Sequence, residues 1–357
     1  MLPVNPPIKP MLAKAIPAIP EAGGLSFEPK WDGFRCIVFR DGDEVFLGSR
    51  NERPLTRYFP ELIEPLRGCL PDKVVVDGEI IVVLDDHLAF DALQQRIHPA
   101  DSRVEMLSVA TPAQFVAFDL LALGDDDLMG RSFAERRSSL ESISPAFEYP
   151  VHLVDTTRDT ATATGWYKRF EGAGLDGLIA KPLDGVYAPN KRAQFKIKHT
   201  RTADVVVAGY RIHKDGEGVG SLVVGIHDDD GRLQHMGVAA SFAAGFRREL
   251  LQLLAPHILK DPTKHPWSEW MDVTSHRQEV MPGTPHRWSG AGGNQSWTPL
   301  DCRLVVEVKY ESTLNGRFRG TTRFVRWRPD REPATCRLDQ LEVPIPVAIS
   351  EVLGSTA

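Results

Sequence analysis

The sequence predicts an α+β protein of two domains, packed antiparallel sheets with helices first and a small, mostly β barrel second. Three observations carry that prediction. Up to AQFKIKH, strand-like apolar runs alternate with helical segments. Beyond 203, strands follow one another across Gly/Asp turns with one helical segment among them. The chain's 357 residues are also more than one hydrophobic core usually serves.

In order along the chain, GFRCIVFR and VFLGSR flank DGDE and read as a β-hairpin around an Asp-Gly turn. KVVVDGEIIVVL (73–84) is β-branched and strand-like, and QFVAFDLLAL (114–123) is a further apolar strand. FDALQQRI (90–97) has helical character, while FAERRSSLESI (133–143) and WYKRFEGAG (166–174) read as amphipathic helices, the last stopped by glycines. DGLIAKPL and AQFKIKH return to strand. HTRTA marks a boundary near 199–203, giving domains 1–200 and 201–340 and a short tail, 341–357. ADVVVAGYRI, GSLVVGIHD and DCRLVVEVKYE are the second domain's strands, and FAAGFRRELLQLL (242–254) its helix. Residues 278–297 are too rich in Gly and Pro for regular structure and read as a long, mobile loop.

A chain 42% hydrophobic and 25% charged is an ordinary soluble globular protein. Its N-terminus is broken by prolines and has no signal-peptide core, and no run approaches the roughly 18 apolar residues of a membrane helix. The expectation is a cytosolic protein with no membrane partner. Cys36, Cys69, Cys302 and Cys336 stand alone, without a C-x-x-C pair, which argues against zinc and against a disulfide framework. Net charge is −6, yet 310–337 holds seven arginines against Glu311, Asp330 and Glu332. A cluster made wholly of arginine suits phosphate, because the guanidinium fork binds oxyanions through paired N–H bonds.

EPKWDGFR (28–35) crowds Lys30 among Glu28, Asp32, Gly33 and Arg35, as a charged turn entering a strand or as a site. Arg50 ends the next strand, Asp77 and Glu79 share a strand face two residues apart, and Lys196 and Lys198 do the same. Asp176 and Lys181 bracket GLIA. A lysine on a half-buried strand among apolar neighbours calls for an anion. Several such lysines with acidic strands suggest a polyphosphate and a divalent metal held by oxygen ligands.

In this order the pieces resemble the covalent nucleotidyltransferases: DNA ligases, RNA ligases and mRNA capping enzymes. The chain is most similar to small ATP-dependent bacterial DNA ligases of the ligase C type, related to the ligase module of the bacterial end-joining ligase. EPKWDGFR matches K-x-D-G-x-R, and SRN, VDGEI, FVAFDLL, DGLIAK and FKIKH follow in the family's order. PPIKPMLA matches the family's lead-in and RFVRWRPDREP its C-terminal motif, so the likeness covers roughly residues 6–335.

The resemblance implies an adenylation domain followed by an OB fold, and an enzyme that seals 5′-phosphate/3′-hydroxyl nicks through a lysine–AMP intermediate. Lys30 would be the nucleophile. An unperturbed lysine, pKa about 10.4, is neutral in roughly one molecule in 2,000 at pH 7, so a cation, a metal or desolvation must favour the free amine. Glu28 matches the adenine-recognising residue, Phe118 the aromatic that stacks on the base, and Arg35 and Arg50 the phosphate and ribose contacts. Asp32, Gly33 and Lys181 complete that ATP-binding set. Glu79 and Asp176 match acidic residues near ribose and metal, and Lys196 and Lys198 the pair at the α-phosphate. Arg328, Asp330 and Arg331 match the motif presented to the leaving pyrophosphate. Arg317, Arg319, Arg323 and Arg326 supply a DNA-binding face to the OB fold.

ATP and Mg²⁺, with Mn²⁺ substituting, are the implied cofactors. The implied partners are nicked duplex DNA and other DNA-repair proteins, met by a monomer in the bacterial cytoplasm at the nucleoid, in repair, recombination and replication. The OB domain is expected to swing about 199–203. Three departures matter: Asp176 stands where glutamate is usual, Arg331 stands where lysine is usual, and the chain reads as a catalytic core alone. An RNA ligase or GTP-using capping enzyme is the rival within the family, against which stand EPK and the end-joining likeness of 301–333. An OB-fold binding module with an inactive adenylation domain is the rival of another class, opposed by intact Lys30, Lys196 and Lys198.

Overall fold

A computed structural model describes residues 1–21, 23–268, 296–314 and 316–353. The loop expected at 278–297 falls outside the described residues except at its last two positions. The chain divides into two units, Met1–Lys198 with Pro344–Ala357, and His199–Val343.

In the first unit, alternating polar and apolar residues build a four-stranded sheet. Its spatial order is Leu12–Ala15, Arg192–Lys198, Gly177–Pro182 and Leu25–Pro29. Ile179 pairs with Glu28 on one side and Lys196 on the other, which puts all three on one face. Gln194 and Lys198, two residues either side of Lys196, share it. The opposite face is apolar: Phe27, Leu178, Ala180 and Ile197 pack with Ala163 of the Thr160–Arg169 helix.

A larger sheet runs Glu44–Ser49, Phe34–Asp41, Lys73–Leu84, Ala113–Leu123 and Asp126–Asp127. Its first two strands turn at Gly42, whose φ of +62° glycine adopts without strain. Cys36, Val38, Val74, Val76 and Ile80 bury one face against Leu62, Leu66, Leu93 and Leu140. Ile37, Phe39 and Val75 bury the other against Leu2, Val4 and Tyr187. Arg35, Asp77 and Glu79 continue that second face in two-residue steps.

Phe133–Ile143 is a helix opened by a Ser132/Glu135 capping box. The helix expected at 166–174 begins earlier, at Thr160, because Asp159 accepts from the Ala161 and Thr162 N–H groups and offsets the poor helix propensity of the threonines. It ends at Arg169, and a short 3₁₀ turn then leads to Gly174 at φ +92°. The helices Ile63–Cys69 and Asp101–Ala110 carry no clear apolar period in the sequence.

The second unit is a closed five-stranded barrel, ordered Arg201–Ile212, Val219–His227, Leu233–Ala240, Thr322–Trp327 and Thr298–Tyr310. Two of its strands, Leu233–Ala240 and Thr322–Trp327, are too interrupted by polar residues to stand out in the sequence. Leu250 and Leu254 of the Ala244–Leu254 helix join its core.

The stretch expected as a tail at 341–357 divides. Residues up to 343 stay with the barrel unit, and from 344 the chain returns to the first unit. There the Val347 N–H donates to Gly172 O at 3.1 Å and the Ile349 N–H to Asp86 O at 2.7 Å. Ile349 and Val352 are buried in one cluster with Trp31, Phe118 and Phe170. Among the described residues no helix is long and apolar enough to cross a membrane. All four cysteines are free, and burial pushes each thiol above its usual pKa, so none has the character of a reactive thiolate.

Candidate active site

The polar faces of the two sheets of the first unit enclose a cavity of about 190 Å³. The small sheet contributes Glu28, Ile179, Gln194 and Lys196, with Lys30 at its edge, and the large sheet Arg35, Glu79 and Phe118. Arg50 lines it too, and with Lys9, Asn51, Glu52 and Asn190 it also borders a second hollow of about 290 Å³.

Lys30 is locked across the small sheet: its N–H donates to Gly177 O at 2.9 Å, and its carbonyl accepts from the Asp176 N–H at 3.1 Å. The side chains meet as well. Lys30 Nζ lies 2.7 Å from Asp176 Oδ2, and Lys198 Nζ 3.1 Å from the same oxygen. Asp176 thus holds two of the three site lysines, while Lys196 stands on their face and lines the cavity.

Gly33 is dictated by space, since a Cβ there would sit 2.2 Å from Ile80 O and 2.9 Å from Glu79 Cγ. This close approach brings Glu79 to the foot of the Lys30 loop. Burial pushes the Glu79 carboxyl up to about 7, against the pull of Arg35 and Lys30; the charges of Asp32 and Asp77 add to the rise.

Glu28 is 4% exposed, with Oε1 paired to Lys181 Nζ at 2.9 Å. Burial raises its pKa and Lys181 partly offsets the rise. Oε2 has no hydrogen-bond partner among the described residues. Lys181 is itself 2% exposed and stands behind Glu28, outside the cavity wall, donating to Phe118 O at 2.9 Å.

Phe118 owes its placement to a β-bulge. Asp77 pairs with Asp119 and Gly78 with Ala117, which leaves Phe118 as the extra residue on its strand. Bulges re-aim a side chain and free its carbonyl, and here the ring lines the cavity and the carbonyl accepts a hydrogen bond from Lys181 Nζ. The Arg35 guanidinium lies over the ring, 4.2 Å from its centroid. Arg35 is fixed there by two 2.6 Å bonds to fully buried Asp77, which also accepts from the Tyr187 hydroxyl at 2.5 Å. Tyr187 in turn receives the Met11 N–H at 3.1 Å. Asp77 therefore orients Arg35 and does not face the cavity.

In the barrel unit, Asp204 holds the C-terminal motif. Arg328 Nη1 donates to both its oxygens at 2.9 and 3.0 Å, and Arg331 Nε lies 3.2 Å from Oδ2. Asp330 also pairs with Arg328, and that bond holds its carboxyl down at about 2. A second bulge acts on the arginine face: Lys309 pairs with Arg323 and Glu307 with Arg326, with Val325 as the extra residue. Arg323 and Arg326, three apart, therefore share a face that regular alternation would deny them. Arg326 Nε is 2.6 Å from Glu307 Oε2. Arg317 lies in the short Arg317–Phe318 strand, and Arg319 follows it.

Sequence reasoning missed Gln194, Tyr187 and Asp204. Only Asp204 left a signal, as a lone acid opening an otherwise apolar strand.

The profile of the ATP dependent DNA ligase domain matches residues 10–198, and that of the ATP dependent DNA ligase C terminal region matches residues 215–331. The chain belongs to the ATP-dependent DNA ligases. This ligase is 51% identical to DNA ligase C of Mycobacterium tuberculosis over 357 residues, 99% of this chain and 98% of that protein. It is 52% identical to DNA ligase C2 of Mycolicibacterium smegmatis over 346 residues, 96% of each chain. A solved structure of a Lig E DNA ligase shares the fold at 15% identity, with a TM-score of 0.56, over 89% of this chain and 99% of that one.

Proposed function

We propose that Lys30 Nζ attacks the α-phosphate of ATP, forming a phosphoramidate as pyrophosphate leaves. The AMP then passes to the 5′-phosphate at a nick in duplex DNA, and the 3′-hydroxyl attacks that phosphate and expels AMP. The observation that carries this reading is the shared polar face of one sheet, where Lys30 and Lys196 line a cavity whose far wall is Phe118, and Lys198 shares the Asp176 carboxylate with Lys30.

Several tasks fall to the protein. Phe118 and Arg35 offer a stacked platform for the base, and Glu28 Oε2 an acceptor for its amine. Lys196 and Lys198 place fixed positive charge where phosphate oxygens gain negative charge. Asp176 pairs with the Lys30 ammonium; when another cation engages that carboxylate, the ammonium gives its proton to solvent water and the free amine attacks. Mg²⁺, with Mn²⁺ as substitute, would be held by the carboxylates of Glu79 and Asp176 and would supply positive charge to phosphate oxygens. Among the described residues no three His, Cys, Asp or Glu gather into a metal site. Arg328 and Arg331 serve the leaving pyrophosphate, and Arg317, Arg319, Arg323 and Arg326 grip the DNA backbone. The enzyme acts as a cytoplasmic monomer in DNA repair, alongside other repair proteins.

Label transfer from α-labelled ATP or GTP to the denatured protein, wild type beside Lys30→Ala, tests the reading. ATP alone should label the wild type, the variant should stay dark, and nicked DNA should discharge the label into a sealed strand. Labelling by GTP would mean cap chemistry, and discharge only into nicked RNA an RNA ligase. Absence of labelling in a folded protein free of bound AMP would leave a binding module.

A further inference from the structure

Gln194 belongs to none of the motifs, yet its position is exacting. It stands two residues before Lys196 on the Arg192–Lys198 strand, on the cavity face, and is 2% exposed. Its Nε2 makes a single long contact, 3.5 Å to Met11 O, and its Oε1 has no hydrogen-bond partner among the described residues. Glu28 lines the same cavity with an equally orphaned Oε2. A buried acceptor without a donor is destabilising. Two of them lining one cavity indicate a ligand group that brings two N–H bonds.

The adenine 6-amino group has two hydrogens and ring nitrogens to either side of it. A glutamine amide matches such an edge with one donated and one accepted bond. The Nε2 contact with Met11 O favours the orientation that presents Oε1 to the amine rather than the flipped one that would suit a 6-oxopurine. The second amine hydrogen is left for Glu28. Guanine would instead set its O6 against the Glu28 carboxylate. Pro29, also in the cavity wall, has no N–H with which the main chain could substitute for the amide.

We propose that Gln194 is a base-reading residue of this ligase, its side-chain amide pairing with the 6-amino edge of adenine beside Glu28. This rests on the nucleotide site proposed above and adds to it the residue that, with Glu28, distinguishes adenine from 6-oxopurines.

The test compares ATP with ITP, which carries oxygen in place of the amine, in single-turnover labelling of Lys30. Gln194→Met removes the amide at similar volume. It should raise the ATP concentration for half-maximal rate about 10- to 100-fold, leave the ITP value within about threefold, and so narrow the ATP/ITP ratio. The maximal rate and the sealing of a pre-adenylylated nick should change little. If both nucleotides weaken equally, or neither does, Gln194 is a strut on Met11 and the proposal fails. If the Met variant cannot seal the pre-adenylylated nick, Gln194→Glu carries the test. It keeps the shape, loses the donor and accepts from the N1–H of hypoxanthine, so the ratio should narrow again. Wild-type protein that takes label from neither nucleotide overturns the nucleotide site itself, an outcome distinct from an unchanged ratio.

Discussion

Lys30 Nζ and Lys198 Nζ share one carboxylate oxygen, Oδ2 of Asp176, at 2.7 and 3.1 Å. One acidic side chain therefore sets the position of the proposed nucleophile, Lys30, and of a second lysine, Lys198. Asp176→Asn keeps the shape and removes the charge. It should lower the rate of Lys30 labelling at saturating ATP by about 100-fold, whereas Asp176→Glu should keep most of it. Wild-type labelling by the Asn variant would remove Asp176 from the mechanism.

The proposed base platform depends on one bulged residue, Phe118. Phe118→Ala should raise the ATP concentration for half-maximal labelling by roughly 10- to 100-fold, the value of one base–aromatic stack. Phe118→Tyr should restore most of it. An unchanged half-maximal concentration in the Ala variant would place the base elsewhere.

Glu79 predicts a pH dependence of stability in the nucleotide-free protein. Burial raises its carboxyl from 4.5 to about 7. The folded state therefore binds its proton more tightly, and the stability this adds is complete below about pH 4.5 and lost as pH rises through about 7. Glu79→Gln removes the titration. The variant and wild type should melt alike near pH 5, and the variant should be more stable near pH 8, by up to about 3 kcal/mol. A difference in melting temperature that does not vary with pH would refute the assignment.

Glu307 divides the labour of the arginine face. Arg326 is already paired to it, whereas Arg323 lies opposite Lys309. Arg323→Ala should therefore lower the salt slope of nicked-DNA binding by about one, Arg326→Ala by less, and Glu307→Gln should steepen it. Equal slopes in all three would take this face off the DNA.

Asp204→Asn should loosen Arg328 and Arg331. Labelling of Lys30 should fall about tenfold while sealing of a pre-adenylylated nick changes much less. A comparable loss in both steps would show that Asp204 is structural.

How much of this was legible in the sequence follows from the range of each interaction. Lys30, Asp32 and Gly33 lie within a few residues of one another, and Lys196 with Lys198, like Asp77 with Glu79, needs only strand parity. Register errors are another matter. The bulges that turn Phe118 to the cavity and align Arg323 with Arg326 are set by partner strands tens of residues away, and no local pattern announces them. Asp77 shows the limit within one motif, because parity gave its face correctly while the partners that consume it, Arg35 and Tyr187, come from distant segments. The barrel strand Leu233–Ala240 was missed because His235 and Gly237 interrupt its apolar alternation.

The return of residues 344–353 makes the first unit discontinuous in sequence and the barrel unit an insertion within it. The two crossings are held together at the barrel side, where Arg201 Nε meets Glu342 Oε2 at 2.8 Å. A fragment ended near residue 200 would lack Ile349 and Val352 and would bare the back of Trp31 and Phe118 to water. Proteolysis within 199–203 alone would leave the two units covalently joined through 343–344. The adenylating half of this ligase is thus a piece to be obtained by internal deletion, with its last ten described residues retained, and a rotation of the barrel unit would turn on a pair of chain crossings.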